Sequence, residues 1–338
     1  MRKFAALTMS TALALTLSAC ASQEDVPQPT SGNNEHAIVS DEKYAEIATE
    51  TEAGIAAANE SLDPADLTGR VNGPARTYRA AQLQLESLLG DAYELDPMLV
   101  TTEGSPVVSG TAYPRTMMTT VPPRDGKNLA TLSVWSQNGP RGNYHLWADI
   151  ELFGTSNLPE IVSQLSDTAG FPEVDAADYA VDPAEVLAQY ARYNGTREQQ
   201  SIQFSPDDPL YTQIAEQQDS FVESLGDLGT AATDFAVGES GLRGVSTASG
   251  GLVVVGEMTY QVRITKTNED ATLRIGGQIG AIHEQEGDNA MLEIDQQGIA
   301  NYATIVAFYV PPAGADPVVE VIGSSQPTLI SVENVAGD

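Results

Sequence analysis

Cysteine occurs once in 338 residues, at Cys20, and histidine three times, at His36, His145 and His283. A single thiol cannot close an internal disulfide, so stability has to come from core burial. Roughly 300 residues suffice for that, as one or two domains. The three histidines lie in different segments with no zinc-type spacing, and each is expected to be solvated. No stretch follows the EF-hand calcium pattern; "EQEGDNAMLE" (284–293) gathers oxygens but reads as an acidic hairpin turn. Neither "SGTAY" (109–113) nor "ASGGL" (248–252) is a nucleophile elbow, and the glycines of "RIGGQIG" (274–280) have the wrong spacing for a dinucleotide fingerprint. A hydrolase would need His145 or His283 beside a serine or a carboxylate in a cleft. No catalytic, cofactor-binding or metal-ligating residue is therefore assigned, and the expectation is a protein that is not an enzyme.

Positive charge is also scarce. The formal net charge is −31, lysine occurs only at Lys3, Lys43, Lys127 and Lys266, and no Lys or Arg follows Arg274. None lies between Gly142 and Ala191 either. Such a chain repels nucleic acid and anionic lipid headgroups, which excludes both as partners. Aromatic residues make up 6%. Trp135 and Trp147 fall on adjacent candidate strands and read as core or sheet-rim residues rather than a sugar platform.

What the sequence does have begins at its first residues. Arg2 and Lys3 precede a mostly apolar run from Phe4 to Leu17 that is too short to span a bilayer, the pattern of a signal peptide. Small residues then lead into Cys20. The stretch Leu17-Ser18-Ala19-Cys20 resembles the lipobox of bacterial lipoproteins. The resemblance implies a leader of residues 1–19, removed by cleavage. It also implies diacylglycerol on the Cys20 thiol and an acyl group, such as palmitate, on its new amino terminus. One acyl chain binds membranes marginally, whereas three, at about 0.8 kcal/mol per buried methylene, anchor firmly. In enterobacterial lipoproteins an aspartate after the cysteine favours the inner membrane. Ala21 stands there, so the resemblance implies the outer membrane, with the membrane, reached through the anchor, as a partner, an unnamed protein or small-molecule ligand beside it, and a binding or envelope-maintenance role. Residues 20–38, rich in Pro, Ser, Gly, Asn and acids, are expected to form a disordered tether.

Beyond the tether, Ser40 is a helix N-cap with acids after it, and Tyr44, Ile47 and Ile55 form an apolar stripe. A second helix, "RTYRAAQLQLESLLG", should stop at Gly90. Together these make an N-terminal helical segment, 39–97. From residue 98 the period becomes that of strands. "RTMMTTV", "NLATLSVW" and "GNYHLWADIELFG" follow one another, with "QNGPRG" as a hairpin connection. Tyr144, Leu146, Ala148, Ile150 and Leu152 alternate with His145, Trp147, Asp149 and Glu151. Residues 155–240 return to helical punctuation, as in "NLPEIVSQL", "DPAEVLAQYARYNG" and "DPLYTQIAEQQDSFVESLGDL", and read as an acidic insertion. The last third is β again. Gly276, Gly277 and Gly280 are expected inside a bent strand, with Glu-Gly-Asp-Asn as its turn and "AFYVPP" ending an edge strand. The expected class is α+β, predominantly antiparallel β as a barrel or sandwich, with N-terminal helices and the helical insertion in a body spanning 98–338.

A second likeness lies at 307–323, "AFYVPPAGADPVVEVIG". Phe308, Tyr309, Pro311 and Gly323 resemble the strand endings of lipoproteins related to transferrin-binding protein B, although Val310 replaces their glycine. "SGTAYPRTM" is imperfectly similar to that family's strand starts. The likeness covers a minority of the chain and implies an eight-stranded C-terminal β-barrel with a receptor or solute-binding role. No ligand residue carries over from it.

Overall fold

Helix α1 (Asp41–Ser61) begins where the sequence says it should, with the Ser40 hydroxyl accepting from the Lys43 amide at 3.2 Å. The computed structural model describes residues 39–336 except 68, 99, 103–105, 109–111, 124–128, 155–169, 172, 268–271 and 288. The leader, the tether, Cys20, His36 and the "NLPEIVSQL" helix expectation lie outside the described residues. Helix α2 (Gly73–Leu89) ends at Gly90 as expected. It starts at Gly73 for two reasons: the residue has φ +54°, and a Cβ there would sit 2.7 Å from the Trp147 indole.

The remaining elements are β1 (Val107–Val108), β2 (Arg115–Val121), β3 (Thr131–Gln137), β4 (His145–Leu152), α3 (Val186–Thr196) and α4 (Pro209–Leu225). They continue with β5 (Gly229–Val237), β6 (Arg243–Ser246), β7 (Leu252–Lys266), β8 (Arg274–Ile275), α5 (Gly277–Glu284) and β9 (Leu292–Glu293). β10 (Gln297–Val310), β11 (Glu320–Ser324) and β12 (Thr328–Val335) complete the fold. It is α+β with a dominant antiparallel sheet, in keeping with the pattern of short strands and capped helices.

Two long strands organise the sheet. β7 and β10 pair antiparallel, 252–265 against 310–297. Each carries two shorter strands along its outer edge. β10 holds β12 on its first half and β11 on its second, and β7 holds β6 on its first half and β5 on its second. From β11 the sheet continues through β4, β3 and β2 to β1. This half curls. Met118, Val134, Ile150, Val245, Val255, Ile305 and Ile322 meet on its inner face as one buried cluster. Across the gap, the Arg243 Nε–H donates to Ser136 Oγ at 3.2 Å, and its guanidinium lies 4.6 Å from the Trp147 ring centroid. Among the described residues no ladder joins β6 to β2, so the curl stays open. The expected closed barrel is not formed.

Helices cover the outer faces. α1 and α2 pack on β2–β4 around Tyr44, Leu83, Met117, Trp135 and Leu146. α3 and the start of α4 pack on β7, β10 and β11 around Tyr190, Phe204 and Phe308. α5 closes the far end around Ile279, Leu292 and Leu329.

Four expectations are corrected. The register between β3 and β4 shifts at Val134/Trp135, leaving Trp147 as an extra residue on β4. A bulge resets the two-residue alternation. Leu146 therefore joins the helix-covered face, while Trp147 joins Ala148 and Ile150 on the inner face. Gly276 and Gly277 do not bend a strand but open helix α5. Gly277 has φ +63°, and at Gly280 the Ala290 carbonyl lies where a Cβ would be. Glu-Gly-Asp-Asn accordingly follows a helix, not a strand. Residues 229–237, inside the expected helical stretch, form strand β5, whose Ala231, Thr233 and Phe235 turn inward against β7. "AFYVPP" ends β10, which is flanked by strands on both sides and is no edge.

One buried acid sets a pH dependence. Asp208 caps α4, accepting from the Tyr211 amide at 3.1 Å and from the Tyr190 hydroxyl at 2.8 Å. Burial raises its pKa above the ordinary carboxylate value, against the lowering effect of those bonds. The folded state thus holds this proton more tightly than the unfolded chain. The contribution is fully present below the unfolded pKa and is lost as pH rises through the folded one. Asp208→Asn keeps a capping side chain but cannot titrate. Urea titrations of both proteins at neutral pH and at about pH 4 should show wild type gaining on the variant as pH falls; parallel stabilities would refute this.

Candidate functional site

Helix α4 is amphipathic with one fault. Leu210, Ile214 and Leu225 are its buried residues, and at about 100° per residue the positions between them on that face are 217, 218 and 221. Phe221 continues the apolar stripe, but Gln217 and Gln218 interrupt it. Leu210 and Ile214 anchor the start of the helix in the aromatic cluster of α3, and Leu225 anchors its end in the cluster of α5. The middle bridges the sheet without filling the space beneath.

A cleft of about 180 Å³ results. Its floor comes from three adjacent strands: Ala231 and Thr233 of β5, Tyr260 and Val262 of β7, and Tyr302 of β10. Tyr260 and Tyr302 are direct cross-strand partners and stack with centroids 5.1 Å apart at an interplanar angle of 8°. Phe235 leans on Tyr260 at 5.2 Å. The roof is Gln217, Gln218, Phe221 and Val222, and the Tyr260 hydroxyl donates to Gln217 Oε1 at 3.4 Å. Val222 is 52% exposed and marks the mouth.

One end of the cleft is closed by Arg197, which ends α3 in a left-handed conformation with φ 58°. Its guanidinium forks onto Asp219, with Nη2 donating to Oδ1 at 2.7 Å and Nη1 to Oδ2 at 3.2 Å. Nη2 also donates to Gln218 Oε1 at 3.0 Å. This bidentate pair ties α3 to the middle of α4 and neutralises the two charges of the cleft. Arg197 holds the Asp219 carboxyl below its usual pKa, and Asp219 in turn raises that of Arg197. Burial pushes the Tyr302 phenol up to about 12 and raises Tyr260 further, so both remain neutral near pH 7. The lining contains no His, Lys, Ser or Cys, and its one carboxylate is ion-paired. The hydroxyls among the described lining residues are those of Thr233, Tyr260 and Tyr302, beside apolar and amide groups.

No family model, curated protein or solved structure matches this chain.

The site must therefore be read from its own chemistry. His145 begins β4, half-buried, and its pKa is lowered by burial first and by the Arg70 charge second. His283 sits in the last turn of α5 rather than at a strand turn, 3.8 Å from Glu284. Neither lines the cleft, and among the described residues neither imidazole bonds a serine hydroxyl. Trp135 and Trp147 are both buried, as core residues. Among the described residues no group of three or more His, Cys, Asp or Glu is placed to hold a metal ion. No helix among them is long and apolar enough to cross a membrane.

Sequence reasoning saw helix α4 but not the cleft. The available signal was the Gln217-Gln218 pair on an otherwise apolar face, which cannot be told from an ordinary surface pair until the face is known. Gln217 is exposed on a face whose neighbours along the helix are apolar, so an amide there forgoes apolar burial over the cleft that a leucine side chain would make. Gln217→Leu should therefore raise stability by about 1 kcal/mol. A rise in melting temperature would agree; a fall would show that the Gln217–Tyr260 bond matters more than the interruption.

Proposed function

We propose that the protein is a lipid-anchored, non-enzymatic binding protein of the bacterial cell envelope, held at the outer membrane through acyl chains on Cys20. The binding role is supported by one observation: α4 spans a stacked tyrosine pair with Gln217, exposed, and Gln218, half-buried, interrupting its apolar face. A helix pinned at both ends and polar over its middle keeps a cavity open at some cost in stability, a typical trade of stability for function. The address is supported by the leader, Leu17-Ser18-Ala19-Cys20 and the polar stretch that follows. The surface-receptor reading, by likeness to transferrin-binding lipoproteins, loses support because the curl between β6 and β2 is open. The decisive experiment on the address is acyl labelling of wild type and Cys20→Ala in a bacterial host.

A further inference from the structure

We propose that the cleft beneath α4 binds a small uncharged molecule built on one planar ring that carries a hydrogen-bond acceptor. This deepens the binding role and rests on it, but is independent of the lipid anchor.

Four features select that chemistry. The cavity volume, about 180 Å³, is close to the roughly 150 Å³ that accommodates a benzene ring in an apolar core. The floor is the Tyr260–Tyr302 stack with Val262 beside it, and Phe221 faces it from the roof, so a flat ring buries the most surface. The carboxamide oxygens of Gln217 and Gln218 already accept from Tyr260 and Arg197, which leaves their N–H groups to donate. Charge is discouraged in either sign. Arg197 is bound to Asp219 and Gln218 and so is not available to an anion, while the strongly negative chain repels anions at long range. A cation would find Asp219 already paired. It would also meet Val222, Ala231 and Val262 between the rings, so the lining does not surround a cation with aromatic faces.

The test uses the full chain carrying Cys20→Ala and amide NMR titrations with three probes: benzamide, toluene and tetramethylammonium. Benzamide should shift the amides of Gln217, Gln218, Ala231 and Thr233 saturably. Toluene should bind the same residues more weakly, and tetramethylammonium should not bind there. Ala231→Phe places a ring inside the cleft and should abolish the benzamide shifts, with circular dichroism confirming that the fold is kept. Gln217→Leu leaves the Arg197–Asp219 clamp in place. It should weaken benzamide about tenfold while sparing toluene. The proposal is overturned by shifts that do not saturate or that map to the depression on α2 around Ala80, Gln84 and Ile330. Tetramethylammonium binding the cleft as tightly as benzamide would overturn it too, as would equal loss of both rings in Gln217→Leu. Acyl labelling at Cys20 is read separately, so failure here leaves the anchor standing.

Discussion

Trp135→Ala should destabilise the protein by about 3–5 kcal/mol, a large share of the roughly 5–15 kcal/mol that a domain commands. Trp135 is fully buried on β3 against α1, where Tyr44 meets it edge-on at 6.0 Å. The Thr119 hydroxyl of β2 accepts from both partners, from the Trp135 indole N–H at 3.3 Å and from the Tyr44 hydroxyl at 3.1 Å. One threonine thus joins α1, β2 and β3. Thr119→Val leaves two buried donors without that acceptor and should cost about 2 kcal/mol, with little change in volume. Urea unfolding followed by the fluorescence of Trp147 measures the alanine variant, and circular dichroism measures both. A loss below about 1 kcal/mol for Trp135→Ala would mean that α1 does not pack on this face.

The second large effect concerns location. Wild type expressed in a bacterium should incorporate labelled palmitate and partition into the detergent phase. Cys20→Ala should remain unlabelled, and should appear either as an uncleaved precursor or in the aqueous phase. The size of the change follows from the anchor, since each buried methylene contributes about 0.8 kcal/mol and three chains carry many of them. Labelling and partitioning that survive in Cys20→Ala would remove the anchor from the proposal. If the enterobacterial sorting pattern applies, Ala21→Asp should move the labelled protein from outer-membrane to inner-membrane fractions, and unchanged fractionation would count against that placement.

Local chemistry was legible wherever it decided the outcome alone. Ser40 capped α1, Gly90 ended α2, and Asp208-Pro209 opened α4, because caps depend on residues within a turn of one another. The hairpin between β3 and β4 was readable for the same reason. Trp147 was not, because its facing depends on a bulge that only the pairing with β3 creates. The glycines at 276–280 were misread because glycine permits both a bend and a close approach. Which one occurs is set by the Ala290 carbonyl, a neighbour in space. β5 was missed because its alanines favour helix while Thr230, Thr233, Phe235 and Val237 favour strand, and only pairing with β7 decides between them.

By itself the sequence determined the class of fold, several caps and breaks of its helices, the exclusion of an internal disulfide, and the one residue, Cys20, on which an address can be proposed. These follow from composition and from interactions between near neighbours in the chain. The tertiary structure decided that the sheet curls without closing. It also brought Tyr260 of β7, Tyr302 of β10 and Gln217 of α4 together under one helix. Those residues are tens of positions apart, and no local preference encodes their meeting. It arises only when β7 and β10 pair and α4 is fixed at its two ends by separate clusters of the core.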